Sequence, residues 1–363
     1  MALVIQSNQA ATNNIGNYFG VKSTNDYALV LDFEREVYKK RGADGRLTDI
    51  NIADFLDFER ASTAHLINQY GEIVEYAQNV PRIGELYGKK GLILEGYRRN
   101  YFLNPSTPVT QSISLPSSNE LFAVEVYGSG SLSVSAANIT ILSSNTTATE
   151  GKPVVFKQNT PSTTSVTATA SGELKHAQIE MLVDKYQVFG SPIATGRVDR
   201  YNEIASINNA LIAELIGSGK EITVVAHVKR EAVDKSYYET SKNSSMFSVE
   251  YTDNKQYGSV INAKDGEVKI NEMTASSEAT IARTSLVNVK SITSAISLTE
   301  GAISVGANGY STYKLDGRLS DKTIKTVSLY SSVAKPHHVL QKLVIYPRAL
   351  TSEEVAVVSG SWV

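Results

Sequence analysis

Residues 121–135 read LFAVEVYGSGSLSVS, and the fold class follows from how this stretch is parsed. Ser131-Leu132-Ser133-Val134-Ser135 alternates small polar and apolar side chains at a period of two, the signature of a strand with one buried and one solvated face. GSGS at 128–131 is the turn before it. No helix and no Lys-Ser/Thr follows those glycines, so they do not form a phosphate loop. The same texture extends outward over 104–182. VTQSISL, LFAVEVYG, SLSVSA, ITILSS, PVVFKQ, SVTATASG and LKHAQIEML are strand candidates at short, regular spacing with turn residues between them, which predicts a small β-sandwich.

Residues 183–363 carry a second and longer set of strands, from EITVVAHVKR to LQKLVIYPR. One terminal helix is expected in TSEEVAVVSG, with Thr351 or Ser352 as cap, Glu353 and Glu354 at its positive end and Gly360 as its stop. Neither set has βαβ spacing, which argues against a parallel nucleotide-binding sheet. Residues 1–103 are turn-rich. Short apolar segments separated by Tyr70-Gly71, Pro81-Arg82 and Gly88-Lys89 predict small hairpins. The expected fold is therefore all-β: an N-terminal hairpin-rich segment (1–103), a small antiparallel sandwich (104–182) and a larger one (183–363).

Composition narrows the function. In 363 residues, 35 Lys and Arg stand against 37 Asp and Glu, which disfavours an electrostatic grip on nucleic acid. Cysteine is absent, which removes disulfides, thiolate metal sites and a cysteine nucleophile. MALVIQSNQAATNN lacks the basic start and apolar run of a secretory signal, and no stretch has the apolar length of a membrane span. Tyr (19) outnumbers Phe (9) and Trp (1), as suits sheets with solvated faces.

Candidate chemistry is sparse. LDFER occurs at 31–35 and again at 56–60, but the flanks share nothing, so this is no duplicated unit. Both copies read as half-buried strand, with Leu and Phe on one face and the acids on the other. Asp57 and Glu95 could serve as the two carboxylates of a glycoside hydrolase. Nothing fixes a catalytic separation, and the reading in which Arg60, Arg82 and Arg98 clamp carboxylates or carbonyls of a segment without a large core is favoured. The histidines (His65, His176, His227, His337, His338) form no HExxH or cluster, and no GxSxG is present. Asp253, Asn254, Asp265 and Glu267 lie in two loops and are candidate calcium ligands. The competing reading is two hairpin turns, Asp265-Gly266 being a strong two-residue signal, and no cofactor is expected. Tyr237, Tyr238, Tyr251, Tyr257, Tyr310, Tyr313 and Trp362 can stack on pyranose faces or pack against neighbouring subunits, and the sequence leaves both open.

Leu31-Asp32-Phe33, Phe58-x-Arg60-Ala61-Ser62, Gly71-x-Ile73, Asn79-x-Pro81-Arg82, Gly91–Glu95 and Arg98-x-Asn100 together resemble a segment of tailed-bacteriophage virion proteins, especially fibres and other appendages. His65 and Arg99 depart from that pattern, each standing where Thr is usual. YGSGSLSVS through LKHAQIE resembles the small sandwich that follows it. GSPIATG and the closing Tyr346-Pro347-Arg348-x-Leu350-Thr351 with Glu354 resemble a concanavalin-A-like, laminin-G-like lectin domain. The resemblance implies a non-enzymatic virion protein, most often a tail fibre or appendage showing a lectin-like domain to host-surface glycan. Its alternative is a purely structural capsid decoration, collar or baseplate role. It further implies docking to other virion proteins through residues 1–103, a homo-oligomer (often a trimer in such proteins), Asp57, Phe58, Arg60, Ser62, Asn79, Pro81, Arg82, Glu95, Arg98 and Asn100 as the structural motif, and a place on the virion exterior.

Overall fold

The computed structural model describes residues 26–363 apart from 87, 120, 183–190, 195, 197–198, 230–242, 263–266, 274–277, 287–290, 316–320, 331–337 and 363. Every strand pairing among these residues is antiparallel. The protein is all-β, as the two-residue periodicity requires.

The small sandwich packs two four-stranded sheets. One is ordered Gln111–Leu115, Thr164–Ser171, Ser131–Ser135, Thr147–Ala148, and the other Ile139–Ile141, Val154–Gln158, Leu121–Tyr127, His176–Leu182. Leu132 and Val134 point into a core with Ile113, Phe122, Val124, Phe156, Val166 and Ile179. Ser131, Ser133 and Ser135 face the other way, toward solvent, so one register slip would invert the strand.

The larger sandwich is built from both ends of the chain. Its ten-stranded sheet runs Tyr310–Leu315, Ala302–Ala307, Ser291–Thr299, Ile222–Lys229, His338–Tyr346, Leu29–Asp32, Val37–Arg41, Leu47–Asp49. Lys89–Leu94 joins off this path, bringing Ile83–Leu86 with it. His338–Tyr346 is shared lengthwise: Leu343 pairs with Leu31, and Leu340 with Leu92. The facing seven-stranded sheet ends with Ile324–Tyr330, Ile204–Ile207 and Leu56–Glu59. Leu29, Leu31, Phe33, Phe55, Leu56, Leu92 and Leu94 accordingly lie in the same core as Val224, Phe247 and Val327. The expected boundary at 103 is therefore not a boundary between sheets. The N-terminal segment is no separate module, because its short strands lack a face large enough to bury alone and complete two sheets whose other strands come from beyond residue 203.

The two LDFER copies diverge. Leu56-Asp57-Phe58-Glu59 is a strand with Leu56 buried and Asp57 and Glu59 exposed, the alternation expected. In the first copy the strand stops at Asp32 and Phe33–Glu36 form a turn, where Asp32 Oδ1 accepts the Arg35 amide at 3.0 Å. The half-buried strand expected at 31–35 is corrected to strand end plus turn. Leu29 and Leu31 face the sandwich core while Val30 faces the opposite side, under the terminal helix, so both faces of this strand are covered.

That helix spans Ser352–Gly360 and begins with a capping box in which Thr351 Oγ1 accepts the Glu354 amide and Glu354 accepts the Thr351 amide. Arg348 grips Glu354 bidentately at 2.9 and 3.0 Å and also donates to Asp26, tying the helix to the residues that lead into the strand Leu29–Asp32. A second helix, Asn209–Ile216, is capped by the Asn208 side chain. No helix among the described residues is long and apolar enough to cross a membrane.

At Gly91 the backbone passes so close to its neighbour that an added Cβ would lie 2.5 Å from the Leu340 carbonyl oxygen. Gly91→Ala is expected to lower stability by about 1–3 kcal/mol through forced separation of these strands. Urea denaturation checks this, a result within error of wild type counting against the pairing.

Candidate functional site

Four arginines and three glutamates meet where the two sandwiches and the N-terminal segment join. Arg60 follows the strand Leu56–Glu59, Arg82 precedes Ile83–Leu86, Glu95 follows Lys89–Leu94, and Arg98 sits on the short strand Arg98–Arg99. Their partners arrive from about a hundred residues later: Ser191, Arg200 and Glu203, with Glu180 from the small sandwich. All are buried.

Glu203 organises one half. Its Oε1 accepts Arg60 Nη1 at 2.9 Å, Arg82 Nε at 2.9 Å and Arg82 Nη2 at 2.7 Å, while Oε2 accepts the Glu95 amide at 2.7 Å. Glu95 organises the other. Its Oε2 takes Arg82 Nη2 at 2.8 Å and Ser191 Oγ at 2.6 Å and pairs with Arg200 Nη1 at 3.1 Å; Oε1 takes the Ser191 amide at 2.9 Å. Arg98 Nη1 reaches Glu180 at 2.8 Å and so links the cluster to the small sandwich. Burial opposes ionisation of Glu95, but Arg200, Arg82 and Arg98 outweigh it and hold the carboxyl below the usual range. Burial also works against the charge of Arg82, and Glu203 and Glu95 reverse that effect.

The remaining motif residues shape the backbone around these charges. Arg60 donates to the Ser62 and Ala77 carbonyls at 2.9 and 2.7 Å, and its guanidinium lies 5.5 Å from the Phe58 ring centre. Asn79, at φ 60°, accepts the Arg60 amide at 2.9 Å. Half-buried Pro81 follows and leads into Arg82. Asn100 accepts the amides of Phe102 and Ile179 and donates to the Ile193 carbonyl, lacing three segments together. Ser62 Oγ accepts the Tyr201 amide at 3.1 Å. Asp57 stands apart: it is exposed and accepts Asn208 Nδ2 at 3.0 Å. It shares no partner with Glu95, so the two carboxylates weighed as a hydrolytic pair lie in different settings. In the buried cluster each carboxylate is met by donors of the protein itself, an arrangement that fixes position.

Beside the junction, strand pairing sets Glu125 opposite Gln178, and His176, Gln178 and Glu180 follow at every second residue. Gln178 Nε2 donates to Glu125 at 2.7 Å. Burial, reinforced by the charge on Glu180, raises the Glu125 pKa well above the usual value. Such a group contributes fully below the unfolded carboxylate pKa of about 4.3, and its contribution is lost as pH rises through the folded value. Glu95 has the opposite sign, its contribution being lost as pH falls through its depressed folded pKa. Stability should peak in the weakly acidic range. Glu125→Gln should flatten the alkaline side and raise the melting temperature at pH 8 by roughly 2–4 °C, the equivalent of about 1 kcal/mol. Calorimetry across pH checks both, and a destabilised Glu125→Gln protein at pH 8 would contradict them.

The candidate sugar-stacking tyrosines separate. Tyr251 and Tyr257 are buried in the sandwich core with their rings edge to face at 5.6 Å, so no ligand reaches them. That expectation is corrected: Val249, Tyr251 and Tyr257 all lie in the core between the sheets. Tyr310 and Tyr313 are 57% and 55% exposed on an edge strand. Tyr237 and Tyr238 lie outside the described residues. Trp362 packs partly buried against the helix-covered core. Of the candidate calcium ligands, Asp253 and Asn254 make a hairpin turn in which Asp253 Oδ1 accepts the Lys255 amide and Asn254 has φ 64°. Asp265 lies outside the described residues, and Glu267 begins the strand Glu267–Met273. Among the described residues no group of three His, Cys, Asp or Glu is placed to hold a metal. His176 and His227 are buried, and burial lowers their pKa to about 4 and about 3.

No protein-family model and no curated protein matches the chain. Among solved structures, the CBM40 of the Ruminococcus gnavus IT-sialidase bound to α2,3-sialyllactose is similar at 19% identity and a TM-score of 0.30, over 41% of this chain and 86% of that one. The Trypanosoma rangeli sialidase is similar at 15% identity and 0.31, over 44% of this chain and 26% of that enzyme. A heptameric SAP-like pentraxin from Limulus polyphemus is similar at 14% identity and 0.28, over 39% and 70%.

Proposed function

We propose that this chain is a structural bacteriophage virion protein, a tail fibre or appendage component that presents its larger sandwich to host-surface glycan and performs no catalysis. The observation that supports it is the buried junction. The segment resembling phage virion proteins spends its arginines and Glu95 inside the protein, fastening both sandwiches into one scaffold and leaving recognition to the outer surface. Weak contacts to sugars gain strength when several copies act together, through the high effective concentration of tethered sites.

One observation favours the purely structural alternative, a capsid decoration, collar or baseplate protein. The edge strand Tyr310–Leu315 exposes Tyr310, Tyr313 and Leu315, and an apolar sheet edge is readily covered by another copy. Electron microscopy of purified virions labelled with a gold-conjugated antibody to this protein separates the readings. Label at tail or fibre tips supports adhesion. Label over the capsid or collar favours the structural role, and virions without label would overturn both.

A further inference from the structure

The ribbon that closes the junction also has an outward face. Arg98–Arg99 pairs with Asp199–Arg200 in the register Arg99 to Asp199 and Arg98 to Arg200. Alternation sends Arg98 and Arg200 inward, to Glu180 and Glu95, and leaves exposed Arg99 beside half-buried Asp199 on the outer face, 3.5 Å apart. Just beyond the paired residues, Tyr97 and Tyr201 flank the ribbon with ring centres 6.0 Å apart and planes at 75°. Tyr201 is 49% exposed. On the other side Arg99 lies 6.0 Å from the ring centre of Tyr101. The backbone is held from both flanks, because the Tyr97 amide donates to Asn202 Oδ1 at 2.6 Å and the Tyr201 amide to Ser62 Oγ at 3.1 Å.

We propose that Tyr97, Tyr201, Arg99 and Asp199 form a binding platform for a neutral pyranose at the junction, a glycan-contacting surface additional to the larger sandwich, and this inference rests on the adhesin reading. A sugar ring has an apolar C–H face that an exposed tyrosine covers. Its vicinal hydroxyls need an acceptor and a donor side by side, which Asp199 and Arg99 supply as a pair. The opposed charges of that pair disfavour an anionic sugar. The surface is also ordered before any ligand arrives, since the inward half of the ribbon is anchored by buried ion pairs, and this lowers the entropy lost on binding. None of these residues is among the tyrosines that the sequence singles out.

Saturation-transfer NMR on the full chain tests this with four probes: methyl α-D-glucopyranoside, methyl α-D-mannopyranoside, methyl β-D-galactopyranoside and methyl N-acetyl-β-D-glucosaminide. The expected result is binding of at least one probe. Tyr201→Ala and Asp199→Asn should weaken it about tenfold or more, Tyr201→Phe should retain it within about threefold, and Tyr313→Ala should leave it unchanged. An unaltered melting temperature shows that each variant folds. Undiminished binding in Tyr201→Ala would overturn the platform and leave the glycan reading standing. No binding of any probe to the wild-type chain would overturn both. Sugar binding that survives in Tyr201→Ala while incorporation into virions is lost would assign the face to a neighbouring protein instead.

Discussion

Glu203→Ala is expected to be the most damaging single substitution in this protein, lowering the unfolding free energy by about 3–5 kcal/mol. One carboxylate accepts from Arg60, Arg82 and the Glu95 amide, and all of these groups are buried. Removing it leaves two buried guanidinium groups without that counter-charge. The loss comes from stranded partners rather than from the intrinsic strength of the pairs, which burial makes costly to form in the first place. Glu203→Gln keeps an acceptor without the charge and should fall between Ala and wild type. Equilibrium denaturation in guanidinium measures the series. A Glu203→Ala protein within about 0.5 kcal/mol of wild type, the ordinary scale of a surface change, would mean that the cluster is not the joint described here.

Arg98→Met should be nearly as costly, with a dependence on pH that identifies its cause. Arg98 is the arginine that pairs with Glu180 of the small sandwich, at 2.8 Å. Burial already raises the pKa of Glu180, and the charge of Arg98 is the strongest influence opposing that rise, so removal of the guanidinium favours the protonated acid further. At low pH Glu180 is protonated whether or not Arg98 is present, and little is lost. As pH rises, the wild type keeps an ion pair while the variant must bury either an unpaired charge or a proton held against its gradient. The deficit should therefore grow with pH, reaching about 3 kcal/mol at pH 8 and shrinking below pH 5. A second calorimetric transition for the small sandwich at pH 8 would show the two sandwiches uncoupled. A deficit that is constant with pH would place the effect in lost packing and contradict this account.

Much of the fold is legible in the sequence, because a two-residue period is local. Ser131–Ser135 announces its buried and solvated faces, and Thr351 with Glu354 announces the terminal helix. Which strands share a sheet is not local. Leu29–Asp32 and Lys89–Leu94 look like pieces of a separate segment until the long strand His338–Tyr346 is seen to need both as partners. Identical letters do not rescue the prediction, since LDFER is strand in one place and turn in the other according to where the sheet ends. The helix Asn209–Ile216 carried signals that could have found it: Asn208 as cap, apolar Leu211, Ile212, Leu215 and Ile216 at helical spacing, and Gly217 at φ 59° beyond its end. At the junction, Arg60, Arg82, Glu95 and Arg98 stand out as a motif, but nothing near them names Ser191, Arg200 or Glu203. The Tyr97 and Tyr201 pair is invisible for the same reason, as the two residues become neighbours only when Arg99 meets Asp199.

The most direct test is a cryo-electron microscopy reconstruction of the assembled virion that resolves this chain. The account predicts the chain at a tail or fibre position, the arginine–glutamate cluster enclosed, and the Tyr97–Tyr201 face turned outward and uncovered. A chain embedded in the capsid lattice or collar, with that face buried against another virion protein, would contradict it.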